Sequence, residues 1–207
     1  MFCVDSADAL QDALTAAASN GADDEVRIVQ GTYVGNFIYA SADANAFSVL
    51  GGYTVECATR DVDPENTVLD GNQTNMVLAL SAPNVAAELL VEGLTLRNGQ
   101  RSGNGGGLLA TVGDVGVVRV ERNRIEGNTA SESGGGCYLS VPSGTASLSR
   151  NSITENSAGS NGGGASISAQ FGTISIAENS IEDNAGISGG GVGVNISGDS
   201  FGVLIVG

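Results

Sequence analysis

The side chains able to act as acids, bases or ion partners gather in one stretch: Arg119, Arg122, Arg124 and Arg150 with Glu121 and Glu126. Two converging carboxylates could hydrolyse a glycosidic bond, and a carboxylate-bound cation beside a basic residue could drive an elimination. The repeat described below places Arg122 and Arg150 in one column, however, and that column continues as Glu178. Such alternation reads as an ion-paired surface ladder of small energetic value, not as a pocket. A second column, Glu126, Thr154 and Glu182, runs beside Gly127, Glu155 and Asp183. Its oxygens are of the kind Ca²⁺ prefers, but no EF-hand or Gly-Gly-x-Gly-x-Asp loop accompanies it, so it reads as a solvated face.

Missing residue types narrow the chemistry further. The 207 residues include no His, no Trp and no Lys. Histidine general acid/base catalysis, Ser-His-Asp and Cys-His nucleophilic sites, His-liganded zinc, Schiff bases and phosphate-loop lysines are thereby excluded. No cofactor and no metal are expected. The net charge is −15, from 8 basic and 23 acidic residues. It disfavours nucleic acid and anionic membranes as partners, and it repels polyanionic substrates. No apolar run approaches the roughly 20 residues of a membrane helix, so no membrane insertion is expected.

Those residues must be positioned by short β elements. One convincing helix is predicted over residues 7–19, capped by Ser6, with Leu10, Leu14 and Ala17 on one face and Asn20-Gly21 closing it. From Val26 onward come β runs, Val26–Val29, Phe47–Leu50, Thr67–Leu69, Met76–Leu80 and Leu89–Leu96, punctuated by glycines. The second half repeats. Asn123-Arg124-Ile125-Glu126-Gly127-Asn128 returns as Asn151-Ser152-Ile153-Thr154-Glu155-Asn156 and as Asn179-Ser180-Ile181-Glu182-Asp183-Asn184, 28 residues apart each time. A glycine triplet follows every copy, at Gly134–Gly136, Gly162–Gly164 and Gly189–Gly191, and an earlier one lies at Gly105–Gly107.

Superposing the copies stacks Ile125, Ile153 and Ile181 as a core column. It also stacks Val118, Ala146 and Ile174, then Val120, Leu148 and Ile176, with Arg119, Ser147 and Ser175 between them facing outward. A coil of about 28 residues with period-two strands is one turn of a solenoid. The expected fold is therefore all-β, a right-handed parallel β-helix with an N-terminal capping α-helix. It forms one domain over 1–207: a cap at 1–24, irregular early coils at 25–100 and regular repeats at 101–207. Asn123, Asn151 and Asn179, and likewise Asn128, Asn156 and Asn184, are expected to stack as amide ladders at corners whose left-handed backbone asparagine tolerates. The glycine triplets are expected to be tight backbone passages, since no Lys follows them.

Cys137 falls with Leu108, Ala165 and Val192 after the glycine triplets, which makes it a small buried side chain. Cys3 and Cys57 remain as the natural disulfide pair, implying an oxidising compartment.

The pairing of Ile-x-x-Asn (Ile125/Asn128, Ile153/Asn156, Ile181/Asn184) with Gly-Gly-Gly-apolar resembles the FxxN and GGA(I/L/V) repeats of the polymorphic outer membrane protein family, within the wider pectin-lyase-like β-helix proteins. Here Ile stands where that family has Phe. Val26–Tyr33, Leu50-Gly51-Gly52-Tyr53 and Thr67–Gly71 are similar to the opening of secreted bacterial β-helix proteins, so the resemblance spans nearly the whole chain. It implies a secreted or cell-surface bacterial location with the leader peptide not present in this chain, and a non-catalytic passenger, stalk or adhesin-like module with a protein or glycan ligand. The alternative is a carbohydrate-active β-helix enzyme, a polysaccharide lyase or glycoside hydrolase, or a carbohydrate-binding segment of one. Ice binding would need a flat Thr-x-Thr array, and only scattered threonines such as Thr154 and Thr173 occur. The closing run Phe201–Gly207 repeats Phe171–Ile176 without a polar cap. It is therefore expected to be a cut edge of a longer β-helix or an end-to-end self-association contact.

Overall fold

Alternating apolar and polar residues in short runs, each returning about 28 residues later, leave one arrangement that buries every apolar row: parallel strands stacked coil on coil. A computed structural model of the chain, which describes residues 1–198 and 202–206, has this form, a parallel β-helix of about seven turns. Three long parallel sheets make its walls. The first wall has eight strands, from β1 (Phe2–Val4) through Asp24–Val29, Ala46–Tyr53, Glu88–Glu92, Val117–Glu121, Thr145–Ser149 and Thr173–Ala177 to Gly202–Val206. The second has six: Gly31–Val34, Thr67–Asp70, Thr95–Arg97, Arg124–Glu126, Ser152–Thr154 and Ser180–Glu182. The third also has six: Phe37–Ala40, Leu78–Ala82, Leu108–Val112, Cys137–Ser140, Ala165–Ala169 and Val192–Ile196. A short fourth sheet, Gln100–Arg101 to Ala185–Ser188, bridges the second wall to the third. The predicted run Leu89–Leu96 is two strands, because Gly93 turns the corner between walls with φ +71°.

Inner columns fill the core. Leu69, Leu96, Ile125 and Ile153 stack in register and are buried, and Ile181 continues the column half-buried. Tyr39 and Phe47 stack face to face at 3.9 Å in the early coils.

The corner geometry corrects one expectation. The left-handed residues are not the ladder asparagines but their predecessors: Arg122, Arg150 and Glu178 at the first corner, and Gly127, Glu155 and Asp183 at the second. A non-glycine side chain is disfavoured in this region. The buried amide that follows hydrogen-bonds across coils and over-determines the turn. The glycine triplets are close passages, as their steric surroundings show. A Cβ on Gly135 would lie 2.3 Å from the Ser157 carbonyl oxygen and 2.5 Å from that of Gly163.

Helix α1 (Ala7–Ala17) ends two residues before the predicted span and closes the N-terminal end of the core with Leu10, Ala13, Leu14 and Ala17. Ser6 Oγ accepts the Ala9 N–H at 3.3 Å as its N-cap. Gln11, which the sequence did not single out, reaches the end strand of the third wall. Its Nε2 donates to the Ile38 carbonyl at 2.9 Å and its Oε1 accepts the Ile38 N–H at 2.9 Å. A side-chain amide thus replaces the peptide of a neighbouring strand and blunts an edge that would otherwise template pairing. Gln11→Ala is expected to cost about 1–2 kcal/mol in urea unfolding and to increase aggregation during refolding, followed by light scattering. Gln11→Glu, which keeps only an acceptor, should fall between the two.

Of the closing run, Gly202–Val206 pairs in parallel register with Thr173–Ala177. Phe201 and Gly207 lie outside the described residues.

Candidate functional site

The acids and bases meet on the second wall and at its corner with the first. Arg60 lies in the connection 54–66, which crosses that corner. Its Nε donates to the Gly51 carbonyl at 2.9 Å and its Nη1 to Glu92 Oε2 at 2.6 Å. Glu92, only 5% exposed, takes a second guanidinium, that of Arg122, on its other oxygen. Only glycine leaves room for the crossing, since a Cβ on Gly52 would lie 1.8 Å from the Asp61 carbonyl oxygen. Arg60 and Arg27 also sit over the Tyr53 ring, at 5.4 and 5.2 Å from its centroid.

The connection 54–66 then overhangs the second wall. Thr95 Oγ1 donates to the Pro64 carbonyl at 2.9 Å, and Arg124 pairs with Glu65 at 3.0 Å and with Glu126 at 2.6 Å. Arg97 Nε donates to Asp70 Oδ2 at 2.8 Å. Between them lies an open cleft of about 230 Å³, lined by Glu65, Val68, Thr95, Arg97, Arg124 and Glu126. The hydrogen bond to Glu126 holds the Arg124 guanidinium above its ordinary value, so it stays charged and donates. Burial alone would raise the Asp70 carboxyl. Hydrogen bonds from the Asn72 N–H, Arg97 and Asn98 outweigh it and hold the group below the usual carboxylate range.

A depressed folded-state value means that Asp70 contributes its stability in full above the unfolded carboxyl range, near pH 3.9, and loses it as pH falls through the folded value. Acid unfolding followed by circular dichroism should therefore steepen below about pH 4. Asp70→Asn should flatten that limb while lowering stability at neutral pH.

The other predicted pairs resolve into separate contacts between coils. Arg119 bonds Glu88, and Arg150 bonds Glu178 at 2.7 Å. Glu121 has no ion-pair partner among the described residues. Glu126, Thr154 and Glu182 are in register on the outer face, and Glu155 and Asp183 turn the adjoining corner. Among the described residues no group of three Asp, Glu, His or Cys side chains could hold a metal ion. Among the described residues no helix is long and apolar enough to cross a membrane.

The asparagines form two ladders. Asn151 Oδ1 accepts both the N–H and an Nδ2–H of Asn123, while Asn151 Nδ2 donates to the Val120 carbonyl and to Asn179 Oδ1. Asn128, Asn156 and Asn184 repeat the pattern at the second corner. The Leu94 and Gly99 N–H groups, one coil earlier, feed Asn123 and Asn128. Every amide group is spent on the backbone or on another rung.

Cys3 and Cys57 are bridged, with Cα atoms 5.9 Å apart, which ties β1 to the connection 54–66. Cys137 is fully buried, and burial pushes its thiol up to about 12. At pH 8 without denaturant, a thiol reagent is expected to label none of the three cysteines. In denaturant it should label Cys137 alone, which non-reducing peptide mapping would read. Label at Cys3 or Cys57 in protein never exposed to reductant would refute the pairing.

Sequence reasoning missed Arg60, Glu92, Asp70 and Gln11. Arg60 sits in a connection outside the repeat, and Glu92 lies 30 residues from Arg122 and 32 from Arg60, so a 28-residue spacing signals neither. No protein-family model, curated protein or solved structure matches the chain. The parallel β-helix therefore stands on its geometry, and the likeness of its repeats to those of polymorphic outer membrane proteins has no family match behind it.

Proposed function

We propose that this chain is a non-catalytic extracellular or cell-surface module, a rigid β-helix that holds a side wall toward a protein or glycan ligand. The observation that carries the reading is the pairing of Arg119, Arg122, Arg124 and Arg150, each with a carboxylate in its own or an adjacent layer. Guanidiniums fixed in ion pairs present directional donors to a ligand, with their carboxylate partners supplying the acceptors, and are poor proton acceptors. The Cys3–Cys57 bridge suits an oxidising compartment, and the net charge of −15 makes nucleic acid an unsuitable partner. The repeat motifs lend the reading the character of a passenger or stalk.

A second reading, a carbohydrate-active enzyme or the carbohydrate-binding segment of one, is favoured by the cleft beneath residues 60–66, where Glu65 and Glu126 flank Arg124. Turnover assays on neutral and acidic polysaccharides, run beside Arg122→Ala and Glu126→Gln, separate the two. The expected result is no product above background. Reproducible turnover that either variant abolishes would replace the scaffold reading with the enzyme.

A further inference from the structure

We propose that the corner between the second wall and the short fourth sheet binds a neutral oligosaccharide, an inference that rests on the side-wall reading above and names its ligand. Two open clefts abut there. The first is the cleft beneath residues 60–66, of about 230 Å³, lined in part by Arg97 and Glu126. The second lies around the corner on the fourth sheet. It has about 280 Å³ and is lined by Gln73, Gly99, Gln100, Gly127 and Thr129. Glu126 thus ends one cleft where Gly127 begins the other. Ligand pockets ordinarily start at about 300 Å³, so neither cleft suffices alone and the two together do.

Gly127 lets them join. The same corner carries Asn98 one coil earlier and Glu155 and Asp183 in the coils that follow, all with left-handed backbone. The Asn98 amide is turned onto Asp70, whose two oxygens take its Nδ2 at 3.0 and 3.1 Å. Gly127 is exposed, and a Cβ there would meet only Asn98 Oδ1, at 3.8 Å. Packing therefore does not demand the glycine. Glu155 holds a side chain at the equivalent place of the next coil with φ 58°, against 61° for Gly127. The glycine leaves the saddle between the clefts clear.

The groups around the saddle are free for a ligand. Gln73, Gln100 and Thr129 are exposed. Their N–H groups are bonded to the Asn98, Asn75 and Gly99 carbonyls, while their side chains bond nothing among the described residues. Arg97 uses only Nε, on Asp70, and keeps both terminal nitrogens. Arg124 keeps one, since its Nε and Nη1 hold Glu126 and Glu65, each of which keeps an oxygen in turn. Donors and acceptors are therefore mixed along the trough. That mixture suits sugar hydroxyls, each of which donates once and accepts twice.

Other ligands fit worse. Among the described residues no aromatic side chain lines either cleft and Val68 is the only aliphatic one, so an apolar ligand finds little surface. A phosphate or an acidic sugar needs unpaired cations, whereas Arg97 and Arg124 are already neutralised by Asp70, Glu65 and Glu126, and the net charge of −15 repels anions. An extended peptide needs a free strand edge. Thr95–Arg97, Arg124–Glu126 and Thr129–Ala130 each have a strand on both sides, and Gln100, at the end of the fourth sheet, gives its N–H to the Asn75 carbonyl at 2.9 Å. The open shape and the lack of stacking rings make the binding weak, with a Kd on the order of 1 mM.

Titration of the isotope-labelled full chain with cellohexaose, mannohexaose, xylohexaose and hexagalacturonate, followed by amide and guanidinium NMR shifts, tests this. A neutral hexasaccharide is expected to move the Gly99, Gly127 and Thr129 N–H signals and the Arg97 and Arg124 Nε–H signals, and hexagalacturonate to move none. Gly127→Glu should weaken the hexasaccharide by about tenfold or more and leave the disaccharide of the same sugar, which fits one cleft, unaffected. The added carboxylate does not repel an uncharged ligand, so the loss reads closure of the saddle. Gln73→Ala with Gln100→Ala removes amides that hold nothing in the fold and should weaken binding as much, with circular dichroism checking that each variant folds. No shift from any neutral sugar of the set overturns the proposal, as does equal or tighter binding of hexagalacturonate. Binding that both folded variants leave intact overturns the site while the side-wall reading stands. Signals of shorter products that either variant abolishes would support the site and bring down the non-catalytic reading.

Discussion

Ile153→Asp is expected to unfold the repeats, with a loss of about 5 kcal/mol or more. Ile153 has no exposed surface and is stacked between Ile125 and Ile181 in parallel register. A carboxylate there would lose the column's apolar contacts and meet no cationic partner, since the buried neighbours are aliphatic. Total stability of an ordinary domain is only about 5–15 kcal/mol, so this single change reaches the threshold of folding. Ser147→Asp is the matched control. Ser147 faces outward between Arg119 and Ser175, where surface changes stay within about ±0.5 kcal/mol. Urea unfolding followed by circular dichroism reads both. Equal losses would mean that the inward and outward phases have been interchanged.

Asn151→Ala should be the next most damaging change, at about 3–5 kcal/mol. It deletes four hydrogen bonds at 2.9–3.2 Å and strands the Asn123 N–H, the Asn123 Nδ2–H and the Val120 carbonyl in the interior. Each stranded group costs about 1–3 kcal/mol. Asn179→Ala removes the same side chain from a half-buried rung, where water can take over, and should cost less than half as much. Asn151→Asp retains the acceptor but loses both donors and places a charge at a site only 2% exposed, so it should be no milder than Ala. If the Asn151 and Asn179 variants melted alike, the ladder would contribute nothing beyond its corner geometry.

The two halves of the chain differ in how far their sequence discloses the fold. From Gly105 onward each coil repeats its own spacing, so register, core columns and rungs can be read by superposition alone, and Cys137 takes its buried place among Leu108, Ala165 and Val192. Before that, the insertion 54–66 breaks the period, and the strands Gly31–Val34 and Phe37–Ala40 are legible only from their later partners. The corner was misread in one respect for a physical reason. Asparagine is the usual left-handed residue, but here its amide is needed in the interior, so the strain passes to Arg122, Arg150 and Glu178; Arg150 and Glu178 stand exposed and pair with each other, while Arg122 turns onto the buried Glu92. Arg60–Glu92–Arg122 and the paired cleft were not legible, because ion pairs across layers of unequal length leave no periodic trace.

The one-sided placement of the disulfide has a mechanical consequence. Pulled by its ends, a solenoid peels one layer at a time, since each coil contacts only its neighbours. The Cys3–Cys57 bridge clamps the first layers covalently, so peeling must begin at the other end. Each released coil of 28 residues yields roughly 95 Å of slack. Force should hold through the breaking of two amide rungs and drop as the coil comes free. An extension trace would then be a sawtooth of nearly even teeth, stopping short by the length of the clamped segment until a reductant is added.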